Sequence, residues 1–243
     1  MARMHLDYPR ATLLEVQPAP VTCANIEFIG ARGSGENPFE YDGLGKTIQD
    51  VKNGLAAQGV SMKVTPLPYP AVKVSYAPLD YPIEYRESLK AGVSSLASYM
   101  AQLSKTCPTT RIVLVGYSQG AHVVADVATA LPANIQDQIV GIVLFGDPLF
   151  NPSLTGVNKG SYENVNGVWS APYGPGRLPQ RQIGDSLIPK LASYCLLGDA
   201  NCNFTPPNVA SCMTQPTDCP HEHYATVWTD AAAVWLKDKI AKM

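Results

Sequence analysis

The segment from Arg111 to about Leu131 constrains the fold of this chain most strongly. Arg111-Ile112-Val113-Leu114-Val115 is a β-branched run with the character of a buried strand. It passes through Gly116-Tyr117-Ser118-Gln119-Gly120 into a helix-forming stretch. A strand that turns straight into a helix belongs to an alternating α/β architecture. Small residues two before and two after Ser118 let strand and helix approach closely, and a serine on such a turn holds its hydroxyl above the sheet. The G-x-S-x-G pattern in this setting marks Ser118 as a candidate nucleophile. The competing reading is a structural glycine turn.

The rest of the chain repeats the alternation. Ile26, Phe28 and Ile29 suggest a short buried strand. Leu44, Ile48, Val51 and Leu55 recur at helical spacing, and Gly59 closes that helix. Val60 to Val64 reads as a second strand, and 66–82 as a proline- and tyrosine-rich loop. Tyr85, Leu89, Val93, Leu96, Met100 and Leu103 predict a long amphipathic helix. Ile139 to Phe145 predicts a central strand, ended by Gly146-Asp147-Pro148. Residues 151–182 are rich in Asn, Gly and Pro and predict a long surface loop. A strand near Ala192 to Leu196 leads into cysteine-rich loops, and Tyr224 to Ala241 predicts a final helix. These elements imply a mostly parallel sheet covered on both faces, a three-layer α/β/α sandwich in one domain. Residues 1–20 read as an extended arm, and 21–243 as the domain.

Charge excludes several classes. Only 16% of residues are charged, with a net charge of −2, against a usual share of about 25%. No basic excess exists to neutralise phosphates, so no nucleic-acid partner is expected. Apolar runs fall short of the roughly 18 residues a membrane span needs. Cysteines stand at 23, 107, 195, 202, 212 and 219. An even count without C-x-x-C fits three disulfides and an extracellular protein better than a zinc ribbon. The chain starts Met-Ala-Arg-Met-His-Leu-Asp, without an apolar signal core. Secretion therefore predicts that a signal was removed and a start methionine added.

A second motif competes with the first. Gly184-Asp185-Ser186-Leu187 spells the GDSL signature, and Asp218-Cys219-Pro220-His221 supplies a D-x-x-H. In GDSL esterases the serine follows the first strand and lies far from the histidine. Here the spacing is short and a loop precedes Ser186, so an ordinary turn is the better reading.

Several segments resemble the cutinases, with the related acetylxylan esterases and actinobacterial cutinase-like esterases. They are Cys23-Ala24-Asn25-Ile26-Glu27-Phe28-Ile29 leading into Ala31-Arg32-Gly33-Ser34, and Cys107-Pro108 ahead of the Gly-Tyr-Ser-Gln-Gly turn. Ile139 to Gly146, Tyr194 to Cys202, and Pro220-His221-Glu222-His223-Tyr224, of the form H-x-x-Y, complete the set in the family's order. The resemblance implies an α/β-hydrolase and a secreted serine esterase needing no metal or cofactor, and no insertion in the sequence is long and apolar enough to be an obvious lid. It implies Ser118 as nucleophile, Asp199 as orienting acid and His221 as general base. Ser34 and Gln119 would form the oxyanion hole. The family's pairings join Cys23 to Cys107 and Cys195 to Cys202, which leaves Cys212 for Cys219.

On the residues alone, rivals remain. His223 is two positions from His221, while His5 and His122 lie elsewhere. Asp147, Asp185 and Asp218 also follow Ser118, and Glu222 reads as a solvated charge. Leu178, Ile183, Leu187 and Ile188 would line an acyl groove or pack beneath the long loop. The expected substrate is a short- to medium-chain ester or a polyester such as cutin, and the expected state a monomer. The alternatives are an acetylxylan esterase, and a catalytically inactive lipid- or glycan-binding module on the same fold.

Overall fold

A computed structural model describes residues 22–74, 83–176 and 178–242. The expected arm over 1–20, with His5, lies outside the described residues. Six strands form one sheet: β1 (Ile26–Ala31), β2 (Lys63–Pro66), β3 (Arg111–Tyr117), β4 (Ile139–Phe145), β5 (Asn158–Gly160) and β6 (Leu191–Cys195). Their order is β2-β1-β3-β4-β6-β5, and every pairing is parallel.

Side-chain alternation divides the core into two layers. Phe28, Val113, Val115, Val143 and Phe145 pack on one face with Ile48, Val51 and Leu55 of α1 (Lys46–Ala57). Ala232, Ala233 and Leu236 of α7 (Thr229–Ala241) join them. Ile29, Ile112, Leu114, Ile142 and Leu144 face the other way. They meet Leu96 and Met100 of α2 (Ile83–Thr106) and Val123, Val124 and Val127 of α3 (Gln119–Ala130). The remaining helices are short: α4 (Ala133–Gln136), α5 (Pro206–Thr214) and α6 (Tyr224–Val227).

Register brings the site together. Ala31 pairs with Gly116, Tyr117 with Phe145, and Phe145 with Tyr194. Strands β1, β3, β4 and β6 therefore end level, and the loops after them share one edge of the sheet. Chain order reverses between β1 and β3, which opens the crevice where parallel α/β sheets place their ligands.

Three differences from the sequence reading have local causes. The second strand begins at Lys63 rather than Val60, after Gly59 turns the chain at φ +82°. The final helix breaks at Trp228 (φ −119°, ψ −3°) into α6 and α7. The 151–182 segment is packed rather than superficial. It adds β5 to the sheet edge and buries Val157, Val168 and Trp169. Its asparagines satisfy buried backbone in place of water: Asn151 Nδ2 donates to Arg181 O at 2.9 Å, and Asn158 Nδ2 to Asn151 O at 2.9 Å. Leu187 is buried in the core beside Val157 and Leu191, and Ile183 is half-buried against the same cluster. Both follow the packing reading of the two.

Three disulfides join Cys23 to Cys107, Cys195 to Cys202 and Cys212 to Cys219. Among the described residues no helix is long and apolar enough to cross a membrane.

Candidate active site

Ser118 stands between β3 and α3 at φ 55°, ψ −119°. A side chain in that region costs about 1–3 kcal/mol and persists where its surroundings enforce it. Two glycines permit the turn. A Cβ at position 120 would lie 1.8 Å from Ala31 O, and one at position 116 would lie 2.5 Å from Gly120 O. Ser118 N donates to Phe145 O at 2.8 Å, and Ser118 O accepts from His122 N at 3.1 Å.

The loop after β6 carries Asp199, which is fully buried. Its Oδ1 accepts from Asn201 N at 2.7 Å and Cys202 N at 3.3 Å. Its Oδ2 lies 2.8 Å from His221 Nδ1 and accepts from the Tyr224 hydroxyl at 2.7 Å. Burial alone would raise the Asp199 pKa, but His221, Tyr224 and the Asn201 N–H outweigh it and hold the carboxyl below its usual range. An ionised carboxylate only accepts, so Nδ1 of His221 carries the proton and Nε2 keeps the lone pair. Burial by itself would lower the His221 pKa, yet pairing with Asp199 raises it.

His221 is brought beside the elbow by its neighbours. Tyr117, the residue before Ser118, stacks on its ring with centroids 5.1 Å apart and donates its hydroxyl to His221 O at 2.8 Å. Gly146 lies beneath the imidazole. A Cβ there would fall 2.7 Å from Cε1 and 2.9 Å from Nδ1.

The loop after β1 supplies the opposite wall. Ser34 Oγ is buried and has no hydrogen-bond partner among the described residues. The loop around it is braced. Arg32 Nε donates to Glu36 O at 3.0 Å, and its Nη2 to Tyr69 O at 2.7 Å. The Glu36 carboxylate accepts from Gly33 N at 2.6 Å and from Lys46 N, the first residue of α1, at 3.1 Å. Gln119 is buried, its Oε1 accepting from Ser88 Oγ at 2.8 Å. Its backbone N–H opens α3 and has no acceptor within the helix.

The rivals lie elsewhere. His223 is half-buried, and its carbonyl accepts from Thr226. His122 is buried on α3, with Nε2 3.5 Å from Asp126 Oδ2, and burial lowers its pKa. Asp147 pairs with Arg181 at 3.1 Å, and Asp185, Asp218 and Glu222 are exposed. Ser186 precedes β6, at the opposite edge of the sheet from His221, and its hydroxyl donates to Gln136 Oε1 at 2.9 Å. The GDSL signature is a surface turn. Sequence reasoning missed Gly146, Glu36 and the Tyr224 hydroxyl as parts of this site. The H-x-x-Y spacing was the one signal that pointed to the tyrosine. Among the described residues no group of three His, Cys, Asp or Glu side chains is arranged to hold a metal ion.

Known proteins resemble this chain over most of its length. Carboxylesterase Culp1 of Mycobacterium tuberculosis is 29% identical over 182 residues, covering 74% of this chain and 69% of its own. Cutinase CUT1 of Coprinopsis cinerea is 27% identical over 214 residues, 86% of either chain. An acetylxylan esterase solved at 0.90 Å superposes with a TM-score of 0.68 and 24% identity, over 90% of this chain and all of that one. The catalytic core of the Trichoderma reesei acetyl xylan esterase gives 0.68 at 22% identity, over 90% of this chain and 100% of its own. The sequence model of the cutinase family matches residues 22–240. A match that runs from the first disulfide cysteine's neighbour to the last helix places the chain in the cutinase family of serine esterases.

Proposed function

We propose that this chain cleaves short- to medium-chain carboxylic esters, and polyesters such as cutin, through an acyl-enzyme on Ser118. The observation that carries the reading is the buried Asp199–His221 pair, 2.8 Å apart, packed against Tyr117 beside the strained Ser118. His221 Nε2 takes the hydroxyl proton as Ser118 attacks the ester carbonyl. Asp199 holds the imidazole tautomer and stabilises its charged form. The backbone N–H groups of Ser34 and Gln119, with the Ser34 hydroxyl, receive the oxyanion, each worth about 3–4 kcal/mol in comparable sites. The alcohol leaves with the proton, and water deacylates Ser118 through the same base.

Large apolar side chains on the loops of this edge support an apolar, insoluble substrate. Phe39 is 93% exposed and Leu197 52%. Three disulfides suit an exported protein acting outside the cell, and the proposed state is a monomer. The fold likeness to acetylxylan esterases motivates a second reading, deacetylation of a polysaccharide.

A chain-length series of p-nitrophenyl esters, acetate to palmitate, tests both on wild type and Ser118→Ala. Turnover peaking at about four to six carbons and abolished by the substitution is expected. Turnover confined to acetate, and faster on acetylated xylan, would favour the second reading. Turnover that survives Ser118→Ala would overturn the nucleophile.

A further inference from the structure

His221 lies in a 3-10 turn (Pro220–His223), and Tyr224 opens α6 directly after it. Residues three apart on such a turn eclipse one another. The local backbone therefore puts both side chains on one face, their rings edge to face with centroids 6.1 Å apart. Tyr224 is fully buried, and its hydroxyl oxygen meets three groups at once. It donates to Asp199 Oδ2 at 2.7 Å, accepts from Leu196 N at 3.0 Å, and lies 3.3 Å from Cys202 Sγ. One phenol thus joins the acid, the end of β6 and the disulfide of the acid loop. It also shares with His221 the carboxylate oxygen that orients the imidazole. A phenylalanine would fill the same space without any of these bonds.

We infer that Tyr224 is a positioning residue for ester hydrolysis, its hydroxyl fixing Asp199 Oδ2 and dividing that oxygen's charge between phenol and imidazole. This rests on the Ser118–His221–Asp199 reading. Burial first, and the neighbouring Asp199 charge second, push the Tyr224 pKa well above the phenol range, so it remains a donor. Among the described residues, Asp199, Glu36 from the β1–α1 loop, adjacent Glu222 and the Tyr117 phenol face His221. His221, Tyr224 and the Asn201 and Cys202 N–H groups face Asp199.

Removing the hydroxyl concentrates the carboxylate's charge on His221. The imidazolium is then favoured more, and its pKa rises further. His221 must be neutral to accept the Ser118 proton, so the acidic limb of kcat/KM moves to higher pH. In wild type that limb is expected above the ordinary imidazole value of 6.5.

The test is Tyr224→Phe, with p-nitrophenyl butyrate profiles of kcat and KM against pH. Active enzyme is counted by fluorophosphonate titration, and folding is checked by thermal melting. The expected result is a kcat about tenfold lower at neutral pH, with KM little changed and the acidic limb raised by about one unit. A folded variant with its limb unmoved and kcat within about twofold would overturn the proposal. If Tyr224→Phe fails to fold, 3-fluorotyrosine incorporated at position 224 offers a second route, because it keeps the hydroxyl in place and makes it a stronger donor to Oδ2. The acidic limb is then expected to fall to lower pH. A limb that stays or rises in that folded enzyme would overturn the proposal. Ser118→Ala and His221→Ala run in parallel. Turnover surviving in those variants sinks the triad itself, whereas its loss there with an unmoved Tyr224→Phe limb sinks the tyrosine alone.

Discussion

Gly146 carries as much of the site's shape as the glycines of the elbow. Its φ is +59°, and an added Cβ would press on the His221 ring and come within 3.0 Å of Tyr224 Cε2. Gly146→Ala is therefore expected to displace the imidazole while the sheet persists. A shift of about 1 Å costs on the order of a hundredfold. Assays of kcat/KM with a melting curve check this, and Gly156→Ala is the control, since a Cβ there meets nothing within 4 Å. Near wild-type activity in Gly146→Ala would show that the imidazole does not rest against this glycine. The contrast also says what a sequence can disclose. Gly116 was legible because the groups that exclude its side chain, Gly120 and Ala121, belong to one local strand–turn–helix, and Gly120 was legible only as part of the G-x-S-x-G pattern, since Ala31 of β1 is what excludes its side chain. Gly146 was not, because His221 reaches it only through the fold. Tyr224 lay between, its position legible by spacing and its bond to Asp199 invisible until the acid loop closed over it.

At the scale of elements, the long apolar strands were legible from composition and period, and the shortest pieces were not. β4 is seven residues of Ile-Val-Gly-Ile-Val-Leu-Phe, buried throughout. β5 is Asn158-Lys159-Gly160, which carries no strand propensity and forms because the sheet edge offers partners in β6. α5 opens with Thr205 Oγ1 accepting from Asn208 N at 3.2 Å and proline at its first position. That is a helix start masked by the surrounding cysteines. The disulfides divide by task. Cys23–Cys107 spans 84 residues, and Cys195–Cys202 spans 7 around Asp199. Loop entropy assigns about 4–5 kcal/mol to the first and about 2–3 to the second. Replacing both cysteines of each pair by serine should reverse the ranking for activity. Loss of Cys23–Cys107 lowers the denaturation midpoint most and spares kcat. Loss of Cys195–Cys202 costs less stability but lowers kcat, because Asp199 loses its fixed position. Equal losses of kcat in the two variants would refute a positional role for the short loop.

Across the whole molecule, the long 151–182 segment is held to the catalytic layer by one buried cation. Arg181 Nε lies 3.1 Å from Asp147 Oδ2, and its Nη1 pairs with Asp126 Oδ1 at 2.5 Å. Asp126 belongs to α3, which starts at the elbow, and Asp147 follows Gly146 under His221. The segment, the nucleophile's helix and the floor beneath the base thus meet on one guanidinium. Nothing in the local sequence announced this, since Arg181 sits in a polar, periodless stretch and its partners belong to distant elements. Burial decides how the three charges divide the energy. Asp147 is 2% exposed and Asp126's side chain 34%. Arg181→Met strands Asp147 in the interior, which costs about 3–5 kcal/mol. Asp126→Asn removes a half-solvated partner and should cost about 1 kcal/mol or less. Asp147→Asn can still accept from Leu149 N, as Oδ1 does now at 2.9 Å. Adding it to Arg181→Met should therefore restore part of the loss, because no unpaired charge stays buried. Urea unfolding of the three single variants and the double variant measures each term. If Arg181→Met falls no further than Asp126→Asn, or the double variant recovers nothing, the buried Asp147 charge is not what ties the segment down, and the β5–β6 pairing with the apolar packing around Trp169 holds it instead.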